Sequence, residues 1–159
     1  MNEGFGYLGK FFEDFKKGEK IVHKYGRTVT YDLNLLFTNL LLNDSPLHLD
    51  LDYMRKTEFK QILLISSMTI AVAIGIATLD FKNVVWDEGV YNVKFFKPVF
   101  NGDTLRVVTE IIELKEHGER KDLGIVRVKH IVYKNGYEEK VCEFERVIWL
   151  LKKEYFRVK

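Results

Sequence analysis

Residues Gln61 to Leu79 read QILLISSMTIAVAIGIATL, a run without a single charge. A bilayer-spanning helix needs about 20 apolar residues, so this run sits at the lower edge of that length. Ser66, Ser67, Thr69, Gly75 and Thr78 interrupt its apolar surface, and tightly patterned strands follow it. A helix that is apolar all round is one that is buried all round. Residues 60–79 are therefore read as a long buried helix of a globular domain, and a membrane span is not expected.

Working outward, the chain after this helix is strand-like. Tyr91, Val93 and Phe95 alternate with Asn92 and Lys94 up to Pro98, and Asn101-Gly102 is a hairpin signal. Residues 104–115 are read as the return strand, Glu116 to Lys121 as a polar turn around Gly118, and 124–133 as the next strand. Asn135-Gly136 marks a second hairpin before a last strand over 139–151. Before the helix, residues 20–30 read as a strand. Asp32 offers an N-cap to an amphipathic helix over 33–42, in which Leu33, Leu36, Phe37, Leu40 and Leu41 recur at helical spacing. That helix stops at Asn43-Asp44-Ser45-Pro46, because proline disfavours helix in the residue before it. A small helix is expected around 51–56. The first 19 residues are rich in aromatics (Phe5, Tyr7, Phe11, Phe12, Phe15) and are read as a segment covering part of the core.

The order is strand, helix, buried helix, then a four-strand antiparallel meander. A long antiparallel sheet buries such a helix by curling round it, so that both leave water together. The expectation is an α+β fold in one domain over residues 1–159.

Composition fits this reading. A chain of 159 residues that is 47% apolar, with 12 Phe and 8 Tyr, can build a core without staples. The net charge of +2 is made of interspersed signs, with no basic stripe of the kind that nucleic acid requires. The single cysteine, Cys142, lies in an apolar strand and reads as a buried inert thiol. Nothing points to a disulfide framework, a metal site or a cofactor, and the first 20 residues lack the apolar core of a signal peptide. A cytoplasmic location is the expectation.

Several local motifs carry a family resemblance. Gly26-Arg27-Thr28-Val29-Thr30, with Asn34 and Phe37, resembles the strand-to-helix junction of MaoC-like dehydratases. Asn43-Asp44-Ser45-Pro46-Leu47-His48-Leu49-Asp50 resembles their hydratase motif, usually Asp-x-Asn-Pro-(Ile/Leu)-His-x-Asp. Thr57-Glu58-Phe59 is similar to the approach to the central helix. Phe95-x-x-Pro98-Val99-Phe100-x-Gly102-Asp103-Thr104-Leu105 is similar to the family's F-x-x-P-V-x-x-G-D-T segment. Gly124-Ile125-Val126 and Phe144-x-Arg146 extend the likeness, which runs from about residue 12 to 153.

The resemblance implies a hot-dog fold and a homodimer. It also implies hydration of a 2-enoyl-CoA, or the reverse dehydration, on an acyl-CoA substrate with no further cofactor. An Asp and a His would hold one water, and backbone N–H groups at the head of the central helix would receive the enolate-like charge. His48 stands at the family's His. The family's Asp position is Asn43, whose amide holds a water but cannot take its proton. Members resembling mesaconyl-CoA-type hydratases also read Asn here. Two readings stay open: either Asn43 orients the water and His48 alone moves the proton, or the chain only binds acyl-CoA.

At the head of the central helix the family often carries Gly where this chain has Lys60, and His-Gly or Asn-Ser where it has Ile65-Ser66. Ile65 and Ser66 are the expected substrate-binding positions there. Arg120 matches a turn arginine of the family and is a candidate for a CoA phosphate. His23, His117 and His130 read as surface or packing residues, and Asp103 as a turn residue. A hot-dog thioesterase is the remaining rival. Such enzymes usually carry a carboxylate on the central helix, and 61–79 has none.

Overall fold

The computed structural model describes residues 9–156; Phe5 and Tyr7, read as part of the N-terminal segment, lie outside them. The elements are β1 (Lys20–Val22), β2 (Arg27–Thr28), α1 (Tyr31–Leu40), α2 (Pro46–Leu49), α3 (Leu51–Met54) and α4 (Ser66–Ala77). Four long strands follow: β3 (Val84–Phe95), β4 (Thr104–Glu116), β5 (Leu123–Lys134) and β6 (Glu139–Leu151).

All pairings are antiparallel, and the sheet runs β1-β4-β5-β6-β3 with β2 also on β4. Alternate residues are buried from Leu105 to Ile111 in β4 and along β5, as strands with one face on a core require. The buried face meets α4. Met68 and Ala73 pack with Leu105, Val107, Val132 and Phe144, while Ala77 and Phe81 pack with Ile111, Val126, Val128 and Ile148. Each fully buried Val, Leu, Ile, Phe or Met side chain here contributes about 1.5–3 kcal/mol. The helix lies on the concave sheet as expected.

Three expectations are corrected. The last four strands are not a meander: β3 pairs with β6, and only β4-β5-β6 follow one another. The Asn101-Gly102 turn therefore does not join paired strands. It seals the start of α1 instead, since Gly102 N–H donates to the Val29 carbonyl and Tyr31 N–H donates to Asn101 Oδ1 at 2.7 Å. Second, the central helix begins at Ser66, and the chain before it is extended. Lys60 takes a left-handed φ of 60°, and the backbone of 63 and 64 pairs with Leu47 and Val99. Third, α4 is not buried on every face: Ser67, Ala71, Gly75 and Thr78 are exposed along one side. Smaller shifts follow local chemistry. Helix α1 starts at Tyr31, leaving Asp32 in its first turn, the strand expected over 20–30 is split in two, and the small helix ends at Met54.

The described part of the N-terminal segment, from residue 9, covers part of the core as expected. Phe11 and Phe15 are buried, and Phe15 stacks on Phe81 at 5.1 Å between ring centroids. Cys142 is fully buried, and burial pushes its thiol up to about 12. Among the described residues no helix is long and apolar enough to cross a membrane, and no cluster of side chains is arranged to hold a metal.

Candidate active site

The site forms where α1, α2 and the head of α4 converge. Helix α1 ends in a left-handed residue, Leu42, with φ 51°. Asn43 N–H donates to the Thr38 carbonyl at 2.9 Å and Leu42 N–H to that of Asn39, the 6→1 and 5→2 pattern of a Schellman cap. Glycine usually fills this position, so a leucine here stores strain beside Asn43. The Asn43 side chain then accepts Ser45 N–H at 3.0 Å and shapes the turn into α2, whose first residue is Pro46.

His48 sits in the last turn of α2. Its Nδ1 lies 2.7 Å from the Leu63 carbonyl oxygen. A carbonyl only accepts, so Nδ1 carries the proton and a neutral His48 presents Nε2 as a lone pair. The position of α2 is set by Asn34, fully buried in α1. Asn34 Nδ2 donates to the His48 carbonyl and Asn34 Oδ1 accepts Ile65 N–H, each at 2.9 Å. One carboxamide thus ties the His48 backbone to the start of α4.

His48 opens on a cavity of about 340 Å³. Ser66 and Thr69 of α4, Phe59, Phe96, Pro98 and Val99 are among its walls, and no Asp or Glu lines it. The N-cap position of α4 is Ile65, which has no side-chain acceptor to offer. Among the described residues no protein group accepts the N–H of Ser66 or Ser67. The head of α4 therefore presents two free donors, and the helix dipole adds positive potential there.

The expected site residues are placed as follows. His48 and Ser66 share the cavity. Asn43 is not among its lining residues, and its Oδ1 is engaged by Ser45. Ile65 is buried, and its N–H is already taken by Asn34. Arg120 lies in the turn between β4 and β5, exposed and paired with Asp122 through two hydrogen bonds. That turn is at the opposite end of the strands from Phe96 and Val141, roughly 35 Å along β5 at about 3.3 Å per residue.

Two features escaped sequence reading. Asn34 was seen only as part of a motif; its signal was a polar residue inside the apolar run Leu33-Asn34-Leu35-Leu36-Phe37. The second is a buried polar chain. His23 Nδ1 meets Asp80 Oδ2 at 2.8 Å, and His23 Nε2 meets Thr109 Oγ1 at 2.7 Å. Thr109 Oγ1 meets His130 Nδ1 at 2.7 Å. Burial lowers the affinity of both imidazoles for a second proton, that of His130 most strongly.

A curved antiparallel sheet laid against one central helix defines a hot-dog fold. The likeness to solved structures agrees. The chain superposes on a double-hot-dog protein from Mycobacterium tuberculosis with a TM-score of 0.84 at 23% identity, covering 98% of this chain and 48% of that one. The family model described as "MaoC like domain" matches residues 14–134, and the chain belongs to that family. It is 29% identical over 147 residues to a beta-methylmalyl-CoA dehydratase of Chloroflexus aurantiacus, covering 92% of this chain and 41% of that protein. It is 31% identical over 122 residues to a mesaconyl-CoA hydratase of Cereibacter sphaeroides, covering 76% and 35% respectively. The chain spans about two fifths of the length of these curated relatives.

Proposed function

We propose that the chain hydrates a 2-enoyl-CoA, or runs the reverse dehydration, with His48 as the proton-transfer group. The observation that carries this is the free Nε2 lone pair of His48 in a cavity shared with the uncapped head of α4. Water loses a proton to Nε2 as its oxygen bonds to the β-carbon. The electron pair of the double bond moves towards the thioester carbonyl, and the Ser66 and Ser67 N–H groups stabilise that oxyanion. The proton then goes from His48 to the α-carbon, and the atoms of one water are added. With the Ile65 N–H bonded to Asn34, the donor role in this reading falls to Ser66, as expected, and to Ser67. Asn43 Nδ2 is the end of that amide left to hold a water, and it can donate but not remove a proton.

A hydration assay over a short panel of enoyl-CoAs, including a branched dicarboxylic one, tests this. His48→Ala abolishes turnover while a CoA product analogue still binds. If only the missing carboxylate limits the site, Asn43→Asp raises the rate; if the pocket is built around the amide, the added charge lacks a partner and the rate falls. Full activity in His48→Ala overturns the assignment. The absence of any carboxylate in the cavity favours acyl-CoA binding without turnover as the second reading. A wild type inert on the whole panel, and still inert as Asn43→Asp, selects it. A thioesterase is disfavoured, since Ser66–Ala77 carries no carboxylate.

The same reading includes a homodimer and a cytoplasmic location. Strand β3 ends the sheet with Trp86, Val90, Tyr91 and Phe95 exposed, an edge that a second copy would cover. Light scattering at micromolar concentration should give twice the chain mass, and a stable monomer counts against this. A role for Arg120 at a CoA phosphate requires the arginine of a second copy, given its distance from His48 within one chain.

A further inference from the structure

We propose that Asp80, His23, Thr109 and His130 form a proton relay that acts as an acid-sensing switch: one proton taken up by the row places a charge on His23 and reverses the tautomer of His130. The two imidazoles and the hydroxyl between them are buried, and none of the four residues lines the His48 cavity.

The direction of the row follows from its first link. His23 Nδ1 lies 2.8 Å from Asp80 Oδ2, and a carboxylate only accepts, so Nδ1 carries the proton. A neutral His23 then has a bare Nε2, which accepts from the Thr109 hydroxyl at 2.7 Å. Having donated its single proton, Thr109 Oγ1 accepts from His130 Nδ1, also at 2.7 Å. His130 is thereby held as the Nδ1–H tautomer. Its Nε2 is a bare lone pair, buried, with no hydrogen-bond partner among the described residues. Every donor in the row points towards Asp80, and the open acceptor stands at the far end.

A proton from solvent that reaches His130 Nε2 is passed along this row. It bonds to Nε2, the Nδ1 proton moves to Thr109 Oγ1, and the hydroxyl proton moves to His23 Nε2. Each N–H or O–H bond broken is matched by one formed, and the charge ends on His23. The surroundings favour that end. Burial opposes charge on both imidazoles, but His23 has the Asp80 carboxylate beside it, with only Lys10 of the N-terminal segment opposing. His130 faces the Arg146 guanidinium of β6 and His23 itself, and both oppose a charge there. The pair therefore takes up one proton as a unit.

The row also lies on a seam in the core. Thr109 stands between Val107 and Ile111 of β4, and His130 between Val128 and Val132 of β5. Val107 and Val132 belong to one apolar cluster, Ile111 and Val128 to the other. In the acid form His130 holds its proton on Nε2, where no described residue accepts it, and its neighbouring rings are Phe81 and Phe144. An unpaired buried donor is costly, so the acid form places its cost at the seam.

The test is long-range proton–nitrogen correlation spectroscopy of the nitrogen-labelled full chain, from about pH 8 to about pH 5. Four histidines give four imidazole patterns, and His48→Gln and His117→Gln each remove one of the other two. At the upper end both His23 and His130 should carry their proton on Nδ1. On acidification His23 should gain a second N–H while His130 moves its proton to Nε2, with one shared midpoint and no charge on His130. Thr109→Val should uncouple the two, and Thr109→Ser should restore the coupling. If Thr109→Val does not fold, the wild-type spectra decide alone. A His130 that carries its proton on Nε2 at the upper end overturns the proposal. So does a His130 tautomer that stays fixed as His23 titrates, or two imidazolium ions with separate midpoints. Unfolding before any native state with a charged His23 appears overturns it as well. No turnover is measured, so the outcome stands apart from the hydration reading.

Discussion

Two backbone groups from different elements meet at the Asn34 carboxamide: the carbonyl of His48 and the N–H of Ile65. A buried amide satisfies both only in one orientation, so Asn34 fixes the distance between the histidine and the helix head. Removing it leaves two buried polar groups unpaired, each costing about 1–3 kcal/mol. Asn34→Leu should therefore lower the urea midpoint. In the folded fraction it should reduce kcat by at least about tenfold while KM changes less, the mark of lost positioning. An Asn34→Leu enzyme with wild-type kcat would show that α2 is held by other means. The placement of His48 just after a helix stop and a proline was legible in the sequence, because proline and spacing coincide there. Asn34 was not legible as a clamp, since both its partners are backbone atoms, which carry no residue-type signal. That the Ile65 N–H is taken by Asn34 was not legible for the same reason: which N–H at a helix head is free depends on who accepts it.

At the scale of elements, the N-terminal segment is docked by ring packing against the sheet. Phe12 lies against Gly124 at the start of β5, where an added Cβ would sit 2.2 Å from the ring. Gly124→Val should displace Phe12 and cost about 1–3 kcal/mol, as overpacking does. Thermal melting of the variant checks this, and an unchanged Tm would show that the ring moves aside freely. The strands β4, β5 and β6 were legible almost to the residue, because alternation survives wherever pairing is regular. Strand β3 was read from Tyr91 and in fact begins at Val84. Its register shifts at Asp87/Gly89 and Tyr91/Lys94, and Gly89 and Asn92 take positive φ there. Each bulge breaks the period of two on which the reading depended. Its pairing with β6 was invisible too, because an Asn-Gly turn looks the same whether it joins paired strands or caps a helix.

For the whole molecule, the buried chain from Asp80 through His23 and Thr109 to His130 makes stability depend on pH. Burial holds both imidazoles below their ordinary value of 6.5, so the unfolded chain takes up protons first. Stability is then fully present above about pH 6.5 and is lost as pH falls towards the folded values. The carboxylates held low by lysine or arginine partners, such as Glu19 and Glu143, contribute loss only below their ordinary 4.5. A fall in the urea midpoint between pH 7 and pH 5 therefore reports the two histidines. His130→Gln should shrink it, and a midpoint flat across that range would count against the assignment.

The pairing of β3 with β6 also has a consequence in time. A ribosome delivers the chain from its N-terminus at about 5–20 residues per second, so β6 emerges roughly three to ten seconds after β3 is complete. During that interval the apolar residues of β3 have no strand to lie beside, while β4 and β5 can already close on each other through the turn at Gly118. The bulges that bend β3 and the charges of Asp87, Glu88 and Lys94 along it are the features that keep a waiting strand from pairing with the same segment of a neighbouring nascent chain.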